Sequence, residues 1–229
     1  MKNIGFIGVG TMGFPMALNL IKNGHSLSFY DPFANNKTIE ALIEAGAKQE
    51  KTIADLCKSK DFLISMLPIG ENVKEVAVGE GGIINQDNTD LIYIDMSTIL
   101  PADSIDVSKQ LQTKNIQMFD APVARLVNNA IDGTLLIMVG GSLQDFPKIE
   151  EILKCMGSDV VYCGAIGSGS KMKVINNYMA INKLLLYFFK ITKKTTINYK
   201  FISNLRNDLE EPAFRKYPTL KKIKILLVK

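Results

Sequence analysis

A glycine-spaced turn near the start of the chain, Gly8-Val9-Gly10-Thr11-Met12-Gly13, limits what it can fold into more than any other stretch. It follows the apolar run Ile4-Gly5-Phe6-Ile7 and leads into Pro15-Met16-Ala17-Leu18-Asn19-Leu20-Ile21, whose apolar positions recur at helical spacing. The order is strand, glycine turn, helix. Each glycine answers a separate steric demand: Gly8 lets the chain turn sharply, Gly10 lets the backbone approach a pyrophosphate, and Gly13 lets the helix pack close to the strand. The helix N-terminus then offers free N–H groups and the positive end of its dipole to phosphates. Thr11 and Met12 complete the turn and are expected with it to contact a dinucleotide.

A second strand, Ser26-Leu27-Ser28-Phe29-Tyr30, ends at Asp31. A carboxylate there accepts hydrogen bonds from a ribose 2′-OH and repels a 2′-phosphate, so NAD(H) is expected rather than NADP(H). The plain alternative is a glycine turn inside some other parallel α/β protein. Strand, glycines, helix and acid all agree, which weighs against it.

The chain has 229 residues, enough to bury one good core and a small second unit. It is 47% hydrophobic without any run of about 18 apolar residues, so a soluble globular protein with no membrane span is expected. The opening apolar stretch is short and already serves as a strand, so no leader is expected. Cys57, Cys155 and Cys163 lack metal or disulfide spacing. A reducing cytoplasm is the expected location, with each cysteine a small buried apolar residue.

Further along, Lys37 to Ala47 reads as a helix that stops near Gly46, and Phe62 to Leu67 is an apolar strand ended by Pro68. Leu91 to Met96 is the next strand. Ser97 and Thr98 follow it, with hydroxyls that either meet a ligand or cap the helix starting at Pro101. Gln117 to Asp120 is another strand. Ala130 to Gly141 reads as a turn, a strand and a glycine pair, before a helix over Leu143–Met156 and a strand over Asp159–Cys163. Gly164 to Gly169 then opens a long helix through Lys173 and Asn177. Strands alternating with helices predict a doubly wound, mainly parallel α/β sheet.

The single histidine, His25, falls in a turn away from the expected crevice, which argues against histidine acid–base chemistry. No cluster has metal-ligand spacing, so no metal is expected. Lysine is the remaining acid–base candidate. Lys173 and Asn177 are four apart and share one helix face. A lysine ammonium can polarise an aldehyde oxygen and donate its proton as hydride arrives at carbon. Spacing alone favours the plain reading, that Lys173 is one of 27 bases on a solvated helix face.

Four stretches together resemble the signatures of the β-hydroxyacid dehydrogenases, a family that includes 3-hydroxyisobutyrate dehydrogenase. They are Gly8 to Gly13 with Phe14 to Leu20, Asp120-Ala121-Pro122-Val123, Gly133-Thr134-Leu135, and Gly167-x-Gly169-x-x-x-Lys173-x-x-x-Asn177. The resemblance runs from residue 1 to about residue 181. It implies a Rossmann-type domain followed by an all-helical domain, Lys173 as catalytic acid/base and Asn177 as its helper. It also implies Met66, Leu67, Pro68 and Thr98 along the cofactor. The family pattern after Pro-Val is Ser-Gly-Gly, and here it is Ala124-Arg125-Leu126. A guanidinium suits a carboxylate, sulfonate or phosphate, and Arg125 with its context is most similar to the sulfolactaldehyde reductase branch. The expected substrate is a small anionic semialdehyde or hydroxyacid, bound by residues 124–126 and Asn177. The alternative for Arg125 is a salt bridge to Asp120 or another surface acid.

Past residue 181 the chain changes character. Residues 1–181 carry 15 bases and 20 acids, a net −5, whereas residues 182–229 carry 12 and 3, a net +9, and no glycine. The division expected is a dinucleotide-binding domain over 1–164, then an inter-domain helix and a divergent remnant of a helical domain over 165–229. Such a tail has the marks of a truncated or frame-shifted terminus. The homo-oligomer implied by relatives is then doubtful, and the dinucleotide-binding half is left with or without turnover. The basic tail has no groove-reading motif, so no specific nucleic-acid partner is expected.

Overall fold

In the central strands, neighbouring residues point to opposite faces of the sheet, and both faces are apolar. These strands are β1 (Asn3–Ile7), β4 (Phe62–Ser65), β5 (Ile92–Asp95) and β6 (Gln117–Asp120). Phe6, Ile64, Ile94 and Phe119 belong to one buried cluster, while Ile7, Leu63, Tyr93 and Met118 belong to the other. A sheet apolar on both sides must be covered on both sides. The computed structural model describes residues 1–87 and 90–191, with side chains through residue 179.

Helices α1 (Gly13–Lys22), α2 (Asn36–Glu44), α6 (Val127–Ile131) and α7 (Phe146–Lys154) supply the first cluster through Met16, Leu20, Leu42, Ala130 and Ile149. Helices α3 (Ile53–Cys57), α4 (Gly70–Val78) and α5 (Pro101–Gln112) supply the second through Leu56, Ala77, Val107 and Leu111. The remaining strands are β2 (Ser26–Tyr30), β3 (Lys48–Gln49), β7 (Val123–Ala124), β8 (Leu136–Gly140) and β9 (Asp159–Gly164), and α8 spans Ser168–Ile191. The nine strands form one sheet in the order β3-β2-β1-β4-β5-β6-β8-β7, with β9 on β8. From β3 to β6 every pair is parallel; β8 runs antiparallel to β6 and parallel to β9. The doubly wound, mainly parallel sheet expected from the sequence is therefore present.

Several details differ from the sequence expectation. Ala130 and Ile131 close a short helix, α6, rather than a turn, because the Asn19 side-chain amide donates to the Ala130 carbonyl at 2.7 Å and ties that helix to α1. Helix α2 ends at Glu44, and Gly46 turns the chain at φ +96. Of the cysteines only Cys57 is buried; Cys155 and Cys163 are half-exposed. Met1–Ala180 form one compact unit. Of the other unit, Ile181–Lys229, the described residues belong to α8, and the expectations for residues 192–229 lie outside the described residues.

The turn between β1 and α1 sets the closest approach in the fold. A Cβ on Gly13 would run into the Gly8 carbonyl, whereas a Cβ on Gly10 would meet nothing within 4 Å. Gly13→Ala is expected to cost about 2–3 kcal/mol of unfolding free energy, seen as a lower urea midpoint. Gly10→Ala is expected to change it by less than about 0.5 kcal/mol.

Candidate functional site

Because β2, β1, β4, β5 and β6 are parallel, their carboxyl ends line one edge of the sheet. The strand order reverses between β1 and β4, which opens a crevice at that edge. The glycine turn forms one wall. Gly8 turns at φ +86, and its N–H donates to the Tyr30 carbonyl at 3.2 Å. Gly10 and Thr11 are exposed and Met12 is half-buried. The open space beside Gly10 is what a pyrophosphate requires, so these residues fit a dinucleotide.

Asp31 stands at the end of β2 beside this turn. Its Oδ2 accepts from the Val9 N–H and its Oδ1 from the Phe33 N–H, both at 2.9 Å. The carboxylate thus fixes the turn at the rim of the crevice. The opposite wall is the exit of β4, Met66 to Pro68. A Cβ on Gly8 would strike the Met66 carbonyl and come to 3.0 Å from a Leu67 methyl, so the two walls touch. Met66 N–H donates to the Ile7 carbonyl at 2.9 Å, and Leu67 N–H donates to Ser97 Oγ at 2.9 Å. Ser97 is buried and Thr98 exposed. Helix α5 is capped by neither hydroxyl, since its N-cap is Leu100 with no side-chain bond. The capping alternative for Ser97 and Thr98 is thereby removed.

Asp120, the last residue of β6, holds the start of α8. Its two carboxylate oxygens accept from the N–H groups of Gly167 and Ser170, each at 2.7 Å. Gly140 and Gly169 lack the side chains that would separate these parts: a Cβ on Gly140 would strike Asp120 Oδ1, and one on Gly169 would strike the Met138 carbonyl. Ser104 and Ser170 share a buried hydroxyl hydrogen bond of 3.1 Å that ties α5 to α8. Gly140 and Gly169 therefore let α8 seat closely on β6 and β8, and Ser104 ties it to α5. Lys173 lies one to two turns further along α8. It is half-buried, and burial lowers the pKa of its ammonium below that of an ordinary lysine. Among the described residues no hydrogen bond or ion pair holds its Nζ. Asn177 follows one turn later and is exposed.

Arg125 sits apart on the β7–α6 connection, at φ +84. Its guanidinium donates to Asp159 Oδ2 at 2.6 Å, to Ser158 Oγ at 2.9 Å and to the Thr134 carbonyl. The acid it pairs with is Asp159 rather than Asp120, whose oxygens are taken by α8. Ala124 is buried in β7, and Leu126 is 77% exposed. His25 is half-buried with its Nε2 3.5 Å from Cys155 Sγ, outside the crevice. Among the described residues no group of three or more histidine, cysteine, aspartate or glutamate side chains is placed to hold a metal. Nor is any described helix long and apolar enough to cross a membrane.

Sequence reasoning missed Asp95 and Ser65, which lie beneath the crevice, the bond of Ser97 to the Leu67 amide, and the anchoring role of Asp120. A signal was present. Tyr93-Ile94-Asp95 and Met118-Phe119-Asp120 each end a parallel strand in an aspartate, and Asp31 follows directly on β2.

A glycine turn, a strand-end acid and a crevice at the reversal of strand order define a Rossmann-type dinucleotide-binding protein. Residues 3–164 match the family described as the NAD binding domain of 6-phosphogluconate dehydrogenase, and the chain belongs to that family. It is 41% identical over 181 residues to 3-sulfolactaldehyde reductase of Escherichia coli K12, covering 79% of this chain and 60% of that one. It is 42% identical over 176 residues to the mitochondrial 3-hydroxyisobutyrate dehydrogenase of Rattus norvegicus, covering 77% and 52%. Among solved structures, 3-hydroxyisobutyrate dehydrogenase of Mycobacterium tuberculosis with L-serine superposes with a TM-score of 0.73 at 29% identity, covering 83% of this chain and 66% of that one. The chain thus spans about half to three-fifths of the curated relatives it matches. The resemblance to β-hydroxyacid dehydrogenases read from the motifs is met by these relatives.

Burial pushes the Asp120 carboxyl up to about 6 from 3.8, against the pull of the Ser170 and Gly167 amides. The folded protein then holds this proton more tightly than the unfolded chain, so stability falls as pH rises from about 4 to about 6 and levels above that. Asn at this position does not titrate. Urea unfolding of the wild type and Asp120→Asn is expected to show the wild type losing on the order of 3 kcal/mol relative to the variant across that window.

Proposed function

We propose that the chain carries out NAD-dependent interconversion of a small anionic semialdehyde and the corresponding hydroxyacid, with Lys173 as acid/base. The observation that carries this reading is the crevice at the β1–β4 reversal, with open space at Gly10, Asp31 at its rim and a half-buried lysine on α8. The 41% identity to a 3-sulfolactaldehyde reductase and 42% to a 3-hydroxyisobutyrate dehydrogenase support the substrate class. Residues 1–164 are taken as the dinucleotide-binding domain and residues 165–229 as the start of a second.

The turn residues Gly8, Gly10, Thr11, Met12 and Gly13 hold the pyrophosphate through backbone N–H groups at the start of α1. Asp31 binds a ribose hydroxyl and disfavours a 2′-phosphate. Met66, Leu67, Pro68 and Thr98 line the rest of the cofactor. When bound, NAD(H) accepts or supplies the hydride. In the reducing direction Lys173 donates a proton to the carbonyl oxygen; in the oxidising direction it takes the hydroxyl proton, which its lowered pKa favours. Asn177 orients the lysine or the substrate oxygen. Ala124, Arg125 and Leu126 bound the substrate, with the guanidinium facing its anionic group.

A second reading, dinucleotide binding without turnover, is favoured by one observation. The Arg125 guanidinium is already engaged by Asp159, Ser158 and the Thr134 carbonyl. The two readings separate in one assay, NADH oxidation with sulfolactaldehyde or another small anionic semialdehyde. Under the first, Lys173→Ala lowers kcat by about 10²–10⁴ with NADH affinity unchanged. Arg125→Ala then raises KM for the anionic substrate. NADH binding without turnover in the wild type establishes the second. Under either reading Gly10→Ala, neutral for stability, weakens NADH binding by about tenfold or more, measured by fluorescence titration.

A further inference from the structure

Beneath the crevice lies a chain of buried polar groups that the proposed reaction does not use. Asp95, at the end of β5, is buried. Its Oδ1 accepts from Ser65 Oγ at 2.7 Å and from the Ser97 N–H at 3.2 Å. Ser65 Oγ spends its proton on Asp95, so the Tyr93 hydroxyl, 2.7 Å away, donates to Ser65. Ser97 Oγ accepts from the Leu67 N–H at 2.9 Å, so the residue whose amide is held by Asp95 in turn holds the β4 exit. Asp95 Oδ2 is buried with no hydrogen-bond partner among the described residues. Burying such an oxygen without a partner is unfavourable, and an apolar residue would fill a strand end between two apolar clusters without that cost.

What the network holds is the β4 exit. The Leu67 amide is fixed from below by Ser97, thirty residues away in sequence, and the Leu67 side chain and Met66 carbonyl press against Gly8. Moving Leu67 therefore moves one wall of the crevice relative to the other. Resting on the dinucleotide site proposed above, we infer that Asp95 and Ser97 are positioning residues for cofactor binding. They hold the Met66–Pro68 wall at the separation from the glycine turn that a dinucleotide needs. Neither touches the cofactor; Ser97 acts through the Leu67 amide, and Asp95 acts by orienting Ser97.

The test compares the full-length wild type with Ser97→Ala, Ser97→Thr, Asp95→Ala and Asp95→Asn. NADH Kd is measured by fluorescence titration, Tm by circular dichroism, and Leu67 amide exchange by hydrogen–deuterium exchange. Ser97→Thr keeps the hydroxyl, and Asp95→Asn keeps the accepting oxygen. Expected is a tenfold rise in NADH Kd and faster Leu67 exchange in both alanine variants, with both values restored to within about twofold in the conservative variants. If either alanine variant fails to fold, Ser97→Cys, whose sulfur is a weak acceptor, carries the same comparison with Ser97→Thr. Alanine variants with lowered Tm and unchanged Kd overturn the inference, as does a Kd raised equally in Ser97→Thr. A wild type that protects the Leu67 amide and binds no NADH overturns the parent reading and this role with it. That pattern differs from normal wild-type binding left unaltered in Ser97→Ala, which overturns the positioning role alone.

Discussion

Helix α1 reaches strand β1 because Gly8 and Gly13 carry no side chains, and the ligand-binding edge of the protein depends on that contact. With the helix held this close, its N-terminus projects over the end of β1. The Met66 carbonyl and Leu67 then close in from the β4 side against Gly8. A methyl group at either glycine would separate the layers at the point where the strand order reverses. The crevice is thus a consequence of backbone packing on backbone, and Gly10 adds the open space within it.

Around this contact, strand-end aspartates organise the carboxyl edge of the sheet. Asp31 takes the Val9 amide and shapes the glycine turn; Asp95 orients Ser97, which takes the Leu67 amide; Asp120 takes two amides at the start of α8. Each ties a loop or helix end to the carboxyl edge of the sheet. Their environments differ. Asp31 is at the rim, whereas burial raises the carboxyl pKa of Asp95 and Asp120. At Asp120 two amide hydrogen bonds to the carboxylate offset part of its desolvation, and burial still raises the carboxyl to about 6. At Cys57 burial outweighs the nearby Lys60 charge and pushes the thiol up to about 12.

Local signals were strong where spacing alone decides geometry. The turn at Gly8 to Gly13, the apolar strands and the helix carrying Lys173 and Asn177 were legible because their periodicity and glycine positions are properties of a few neighbouring residues. The two-residue strand β7 and the five-residue helix α6 were not. Each is too short to show a period and is held by distant partners, α6 by the Asn19 amide. Arg125 illustrates the same divide: a salt bridge to Asp120 or another surface acid was legible as an alternative, but that the acid is Asp159, 34 residues on, is decided by the fold.

By itself the sequence determined the doubly wound sheet, the dinucleotide turn with its strand-end acid, and the family to which the chain belongs. Strand and helix periods, together with the steric need for glycine, are written in adjacent residues. Only the tertiary structure decided what the polar residues between those elements hold. Ser97 serves the Leu67 amide rather than capping α5, and Gly140 and Gly169 admit α8 to Asp120. Hydrogen-bond partners thirty to fifty residues apart are chosen by which strands lie side by side, and that choice exists only once the sheet has formed.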